Sequence, residues 1–255
     1  MTVPFSTLVV SLAIGVASGL LGCFALMRRM ALASDALSHV ALPGIALALL
    51  VNLDPLAGAL AALGLGAALV WAVQRRSRIG GEAVIGVLFS AALALGAIFA
   101  RGEELLDALF GSPGPAAAWE SAFGLAGALA VSAFVLRRRD ALVVSLVSPD
   151  IARTAGIRVA RLDLLFLLHF ALTVALGLRF LGVLLMGSLI IIPAATARHL
   201  ARGLHGMLAI AAGAAALATV AGTLLALSTG RESGPPVVAI AAALFFLSLL
   251  RPRRA

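Results

Sequence analysis

Nine long apolar runs constrain the fold of this chain more than any other feature of its sequence. A helix that crosses a bilayer needs about 20 apolar residues, within a range of roughly 17–25. Most of the runs reach that length, while the seventh and the last are short or marginal. The runs lie at residues 5–27, 31–51, 55–74, 82–100, 115–136, 162–178, 181–197, 204–227 and 235–250. We therefore predict an all-α, polytopic membrane protein with eight or nine transmembrane helices, in which residues 1–255 form a single transmembrane domain.

Composition and charge limit the classes of function. Hydrophobic residues make up 62% of the 255 residues, against roughly half in a soluble domain. The net charge of +8 comes from arginine alone, since all 19 basic residues are Arg. Because these arginines flank the apolar runs instead of forming one basic patch, they indicate membrane topology, and we expect no nucleic-acid partner.

The distribution of arginine predicts an orientation in the cell membrane. If the N-terminus is outside and all nine runs cross, 16 arginines lie on the inner side and 3 on the outer side. Inner loops of membrane proteins carry the excess of positive charge. We therefore place the N-terminus outside the cell and the C-terminus in the cytoplasm. Only Arg101, Arg179 and Arg231 lie outside in this arrangement, and Arg179 is expected at the outer interface.

The sequence lacks the residues that several kinds of chemistry require. The phosphate-binding loop of many ATPases needs a lysine, and this chain has none. No pair of carboxylates, nucleophile–base pair or glycine-rich phosphate loop is evident, and a single cysteine, Cys23, argues against a cysteine-based metal site. We expect a transport subunit that is not an enzyme. If ATP drives the transport, another subunit binds the nucleotide.

Asp35 and His39 place a carboxylate and an imidazole inside the second apolar run. Residues four apart on a helix share a face, about 6 Å from each other. Ionisable groups inside a membrane segment are costly and usually mark an ion path, and oxygen with nitrogen ligands suits a divalent transition metal. The spacing leaves a second interpretation open, in which Asp35 caps the start of a helix and His39 packs in the core.

The longest polar interval, residues 137–161, contains the pattern of a short helix. Ser148 suits the N-cap and Pro149 suits the first turn. Gly156 suits the position just after the last turn, because glycine readily adopts the left-handed conformation that ends many helices. The pattern predicts a helix over residues 149–155 that lies outside the membrane.

The residues of this short helix divide between two faces. Ile151 and Ala155 are four apart and share a face, with Ala152 beside them, whereas Arg153 points elsewhere. From these residues alone, the helix could serve simply as a connector between two spans.

Three segments of the chain resemble one family. The first reads RRMALASDALSHVALPGIALA (28–48), the second RFLGVLLMGSLIIIPAATARHLAR (179–202) and the third SGPPVVAIAAALFFLSLL (233–250). Together, and in this order, they resemble the permease subunits of ABC importers for zinc, manganese or iron. The similarity runs from about Leu20 to the C-terminus.

This resemblance implies a function and a set of partners. It implies an importer that moves a divalent metal ion into the cytoplasm, in which Asp35 and His39 handle the ion transiently and no cofactor is tightly bound. The implied partners are a cytoplasmic ATP-binding subunit, an extracytoplasmic metal-binding protein and a second copy of this chain, forming a homodimer in the lipid bilayer. The segment at about 145–160 takes the position of the coupling helix that docks on the ATPase. Its implied coupling residues are Pro149, Asp150, Ile151, Ala152, Arg153, Ala155 and Gly156.

Two alternatives share the same membrane architecture. One is a secondary transporter driven by an ion gradient, but Asp35 is the only strongly intramembrane acid, which is little for a proton relay. The other is an ABC permease for a metal chelate, against which the absence of Tyr and the presence of only 2 Trp argue. The sequence does not decide among zinc, manganese and iron. It also leaves open whether His169 or the Glu103–Asp107 cluster contributes to the ion path.

Further residues bear on helix geometry. Pro193 is expected to kink or end its helix, because proline lacks a backbone donor. Small residues four apart let helix backbones approach closely in lipid. Two such patterns occur, at Gly15 and Gly19 and at Gly58, Ala62 and Gly66.

Overall fold

The computed structural model describes residues 5–31, 33–77, 80–99, 117–229 and 234–250. These ranges contain ten α-helices and no strand. The all-α, polytopic class predicted from the apolar runs is confirmed. The helices are α1 (Phe5–Met27), α2 (Ala33–Leu50), α3 (Pro55–Arg76), α4 (Gly81–Phe99), α5 (Ala118–Val147), α6 (Pro149–Thr154), α7 (Val159–Phe180), α8 (Val183–Leu200), α9 (Leu204–Thr229) and α10 (Gly234–Leu249).

Six of these helices are long and apolar enough to cross a membrane, namely α1, α2, α3, α5, α7 and α9. The predicted number of eight or nine spans is therefore slightly high for the residues that the structure describes. The apolar parts of α4 (Gly81–Gly96) and α10 (Gly234–Leu249) are shorter. At about 1.5 Å per residue, helices of that length reach roughly 24 Å, less than a hydrocarbon core of about 30 Å.

Helix α1 lies at the centre of the bundle. It packs against α9, α5, α8 and α7. Gly15 and Gly19 face α9, where a Cβ added to Gly19 would lie 2.6 Å from the carbonyl oxygen of Ala211. The first of the two small-residue patterns thus permits a close helix–helix contact, as the sequence predicted.

Helix α2 packs against α3, α4 and α8. Gly44 of α2 and Gly58 of α3 meet backbone to backbone, since a Cβ on either would collide with the other's carbonyl oxygen. Ala62 also contacts Gly44, and Gly66 lies beside Val40. The second small-residue pattern therefore fixes α3 against α2, the helix that carries Asp35 and His39.

Helix α8 continues through Pro193 to Leu200. Of the two predicted outcomes, a kink or an end of the helix, the end does not occur at Pro193. Proline removes one backbone hydrogen bond, but α8 packs against α1, α9 and α10, and such neighbours hold proline-containing segments in helical form within a membrane. Pro43 is accommodated in the same way inside α2.

Candidate functional site

Asp35 lies in the first turn of α2 and is exposed. Its backbone and Cβ pack on α8, where a Cβ added to Gly187 would lie 3.5 Å from the Cβ of Asp35. The carboxylate makes no hydrogen bond or ion pair with the described part of the chain. In the described part of the chain, the Asp35 carboxylate therefore caps no backbone amide of its own helix. The capping interpretation is left with one element, the favourable interaction of an acid with the positive N-terminal end of a helix.

His39 lies one turn further along α2 and is half-buried. Its ring meets the Phe89 ring of α4 edge-on, with 5.3 Å between the centroids. The Nδ1 atom is buried and has no hydrogen-bond partner among the described residues. A buried polar atom without a partner costs about 1–3 kcal/mol, so His39 does not have the environment of a satisfied core histidine.

The four-residue spacing puts Asp35 and His39 on one face of α2, as predicted. A carboxylate oxygen and an imidazole nitrogen are suitable ligands for a divalent transition metal. A tetrahedral site takes four ligands, and the described residues contain no group of three or more His, Cys, Asp or Glu that could hold a metal ion. These two residues alone can supply half of such a site.

The short helix predicted over residues 149–155 is observed as α6, Pro149–Thr154. Ser148 is its N-cap, with its hydroxyl oxygen accepting a hydrogen bond from the Ile151 amide at 3.3 Å. Gly156 follows the C-cap with φ +78°, and the Ile157 amide donates to the Ala152 carbonyl at 2.9 Å. Local capping residues thus set both ends of α6, which is why the sequence located it within one residue.

The two faces of α6 differ from the predicted arrangement at one residue. Ile151 is 61% exposed, and Ala155 is exposed on the same face. Ala152, in contrast, is fully buried. Ala152 therefore packs against the rest of its own chain, and its part in coupling stays a prediction. Spacing within α6 could not predict this burial, because it depends on the neighbouring helices.

The remaining predicted coupling residues lie at the exposed side and at the ends of α6. Pro149 occupies the first turn, where its missing amide donor is not needed. Asp150 and Arg153 form an exposed ion pair three residues apart. Such pairs contribute little to stability, so both charges are available at the surface of α6.

An ion pair between Glu120 and Arg179 was not found by the sequence analysis. The Arg179 guanidinium donates from Nε to Glu120 Oε1 at 2.8 Å and from Nη2 to Oε2 at 2.9 Å. The same carboxylate accepts a hydrogen bond from the Ala117 amide at 2.7 Å. Arg179 therefore joins α7 to α5 and is not simply an interfacial residue. The sequence did contain a signal for this pair. Glu120, near the start of the fifth run, and Arg179, just after the sixth, carry opposite charges and lie at the same predicted face of the membrane.

His169 lies on α7 and not on the helix that carries Asp35 and His39. Its ring stacks on the Phe134 ring of α5 with 4.1 Å between centroids, and its Nδ1 lies 2.7 Å from the Leu165 carbonyl oxygen. These contacts make it a packing residue between α5 and α7. The acidic cluster Glu103–Asp107 lies outside the described residues.

Comparison with known proteins identifies the family. The model of the ABC 3 transport family matches residues 2–252 of this chain. The chain belongs to the ABC 3 transport family. The resemblance drawn from the three sequence segments is confirmed, and the chain is a multi-pass membrane permease of the ABC transporter type.

Relatives within and near this family match the chain over almost its full length. The high-affinity zinc uptake system membrane protein ZnuB of Haemophilus influenzae is 30% identical over 256 residues, covering 98% of each chain. The manganese transport system membrane protein MntC of Listeria monocytogenes is 32% identical over 248 residues, covering 95% of this chain and 88% of the relative. The solved structure of PsaBC from Streptococcus pneumoniae in complex with Fab superposes with a TM-score of 0.81 at 27% identity, covering 96% of this chain and 90% of that one.

Proposed function

We propose that this chain is the permease subunit of an ATP-driven importer that moves a divalent transition metal ion, zinc, manganese or iron, into the cytoplasm. Relatives named for zinc uptake and manganese transport support this class of substrate. The observation that carries the proposal is that polar atoms of Asp35 and His39 lack hydrogen-bond and ion-pair partners. They share a face of a membrane-spanning helix, and neither the carboxylate nor the Nδ1 atom has a partner in the described part of the chain.

Two copies of the chain complete the ion path. An exposed carboxylate inside a membrane span is costly where it faces lipid, so the face of α2 that carries Asp35 turns towards the second copy. Two subunits then supply two carboxylates and two imidazoles, enough for four ligands. Binding stays transient, because a site that holds an ion too tightly does not release it.

ATP binding and hydrolysis take place on a separate cytoplasmic subunit, since the chain has no lysine for a phosphate loop. That subunit docks on α6 through the exposed face that includes Ile151 and Ala155. ATP needs only to favour one of two helix arrangements over the other. An extracytoplasmic protein delivers the metal ion at the opposite face, with the N-terminus outside and the C-terminus in the cytoplasm, as the arginine distribution indicates. Residues 1–255 act as one transmembrane domain.

Metal uptake into proteoliposomes tests this proposal. The vesicles contain the chain with its ATP-binding subunit, ATP inside, and the metal-binding protein with radioactive zinc or manganese outside. Uptake should require both ATP and the ATP-binding subunit, and His39→Ala should abolish it. His169→Ala, which removes a histidine that packs between helices, is the matched control and should retain uptake. Uptake by the chain alone, driven by an ion gradient, would contradict the proposal in favour of a secondary transporter.

A further inference from the structure

A second ion pair lies near the start of α7. The Arg28 guanidinium donates from Nη1 to Asp163 Oδ1 at 2.8 Å. It also lies over the Phe166 ring, with 4.4 Å from Cζ to the centroid. The Arg28 side chain is 13% exposed and that of Asp163 is 34% exposed. The guanidinium is thus held on the surface of α7 by charge and by ring stacking.

This pair joins two segments that matter for the proposed function. Arg28 directly follows α1 and opens the short connection to α2, where the Met30 amide bonds back to the Ala25 carbonyl at 2.9 Å. Asp163 lies in the second turn of α7, which begins just after α6. The Ile157 amide bonds to Ala152 of α6 at 2.9 Å, so α6 and the start of α7 are connected by a short, hydrogen-bonded turn.

The start of α7 also contacts α3, which is one of the neighbours of α2. Trp71 of α3 donates from Nε1 to the Ala160 carbonyl at 2.7 Å. Helix α3 in turn meets α2 through the backbone contact between Gly44 and Gly58. The first turns of α7 therefore contact both the connection that precedes α2 and the helix that packs along it.

The Arg28 pair is less complete than the Glu120–Arg179 pair. A single hydrogen bond joins Arg28 to Asp163, and the buried Nε of Arg28 has no partner in the described part of the chain. With one hydrogen bond instead of two, the Arg28 guanidinium can leave its carboxylate by breaking fewer contacts than the Arg179 guanidinium can. An ion pair of this kind suits a contact that must change between two helix arrangements.

We infer that Arg28 and Asp163 are positioning residues that transmit movement of α6 to α2 and so set the position of the Asp35–His39 pair. The inference rests on the proposed function, because it takes α6 as the docking site of the ATP-binding subunit. Movement of α6 displaces the start of α7, and the ion pair carries that displacement to the entry of α2. Neither residue contacts the ion.

The test uses the reconstituted complex of the chain, its ATP-binding subunit and the metal-binding protein. Three variants are compared with wild type: Arg28→Gln, Asp163→Asn, and the exchange Arg28→Asp with Asp163→Arg. Arg139→Gln is the matched control, because Arg139 forms a surface pair with Asp140 on α5 at 3.6 Å. Measured quantities are zinc uptake, ATP hydrolysis with and without the metal-loaded binding protein, co-purification of the ATP-binding subunit and thermal unfolding in detergent.

Each single variant should lower uptake about tenfold, within the range expected for changes along a coupling path. Stimulation of ATP hydrolysis by the binding protein should fall in parallel, while co-purification stays at the wild-type value and the unfolding temperature falls less than in Glu120→Gln, because the pair is more exposed and has one hydrogen bond. The exchange should restore at least part of the lost uptake, and Arg139→Gln should have no effect. A merely structural pair would lower the unfolding temperature and would not change the stimulation ratio in correctly assembled complexes.

The inference is overturned if both single variants keep uptake within twofold of wild type, or if the loss follows the amount of folded protein. Either result would leave the proposed function intact, because wild-type uptake is measured in the same vesicles and its dependence on His39 is tested separately. Absence of uptake by the wild-type complex would instead overturn the proposed function.

Discussion

Two pairs of polar residues in membrane-spanning helices contrast in this protein. Glu120 of α5 is buried and accepts three hydrogen bonds, two from Arg179 and one from the Ala117 amide. Asp35 and His39 of α2 have no such set of partners, since the carboxylate is exposed and the buried Nδ1 has no partner among the described residues. Both pairs carry the cost of polar groups in a membrane, but only one is compensated within the chain.

We interpret this difference as separating a structural role, for Glu120 and Arg179, from the transport role proposed for Asp35 and His39. Breaking a buried, fully paired ion pair destabilises a fold, because it leaves one charge without compensation. Polar atoms without internal partners contribute no hydrogen bond or ion pair to the fold, and their bonding capacity remains for a ligand. The Arg28–Asp163 pair lies between these cases, with one hydrogen bond and partial exposure.

Asp35→Asn should have the largest effect on transport. The amide keeps the shape of the side chain but removes the charge that a divalent ion needs. Even residues that only support metal ligands contribute about 10- to 100-fold, so uptake should fall by about a hundredfold or more. Thermal unfolding should be unchanged, because Asp35 has no side-chain partner in the described part of the chain. Asp140→Asn, at an exposed carboxylate on α5, is the control. Normal uptake by Asp35→Asn would place the ion path elsewhere.

Glu120→Gln should have the opposite profile. Removing the charge leaves Arg179 without its carboxylate partner, which should destabilise the protein by about 3 kcal/mol. The unfolding temperature in detergent should fall clearly, while uptake per correctly folded complex stays near the wild-type value. A large loss of uptake in a variant that unfolds at the wild-type temperature would remove the contrast between the two pairs.

Ile151→Glu should weaken docking of the ATP-binding subunit without affecting the membrane helices. Ile151 is 61% exposed on α6, so a charge there is tolerated in the isolated chain but not in an apolar contact. Co-purification of the ATP-binding subunit should fall about tenfold, corresponding to about 1.4 kcal/mol. Gly203→Glu serves as the control, because a Cβ added there meets no other atom within 4 Å. Intact co-purification and uptake would reduce α6 to a connector.

Substitution of His169, which is only partly buried, should have the smallest effect on transport and stability. His169→Ala removes the stacked contact with Phe134, which is worth about 1 kcal/mol. The unfolding temperature should fall slightly and uptake should be unchanged. Loss of uptake would bring His169 into the ion path, contrary to its contacts.

Local sequence signals predicted some features of the structure and long-range contacts determined others. The apolar runs gave the fold class, and the capping residues Ser148 and Gly156 located α6. The role of Arg179 could not be derived locally, since Glu120 lies 59 residues away. The burial of Ala152 and the continuation of α8 through Pro193 likewise depend on packing against other helices.

The spacing of Asp35 and His39 predicted which residues form the candidate site but not their surroundings. A four-residue interval shows that two side chains share a face. It does not show which neighbours contact them, and the edge-on contact of His39 with Phe89 and the packing of Asp35 on Gly187 come from α4 and α8. The distinction between a satisfied core histidine and an unpartnered one therefore required the structure.

Pulsed electron paramagnetic resonance on the complex loaded with Mn²⁺ tests the central claim most directly, because it detects nitrogen atoms bound to the metal ion. The wild-type complex should show coupling of Mn²⁺ to a histidine nitrogen, His39→Ala should lose this coupling, and His169→Ala should keep it. Coupling that persists in His39→Ala, or that is absent from a wild-type complex with Mn²⁺ bound, would contradict the assignment of Asp35 and His39 as the residues that handle the metal.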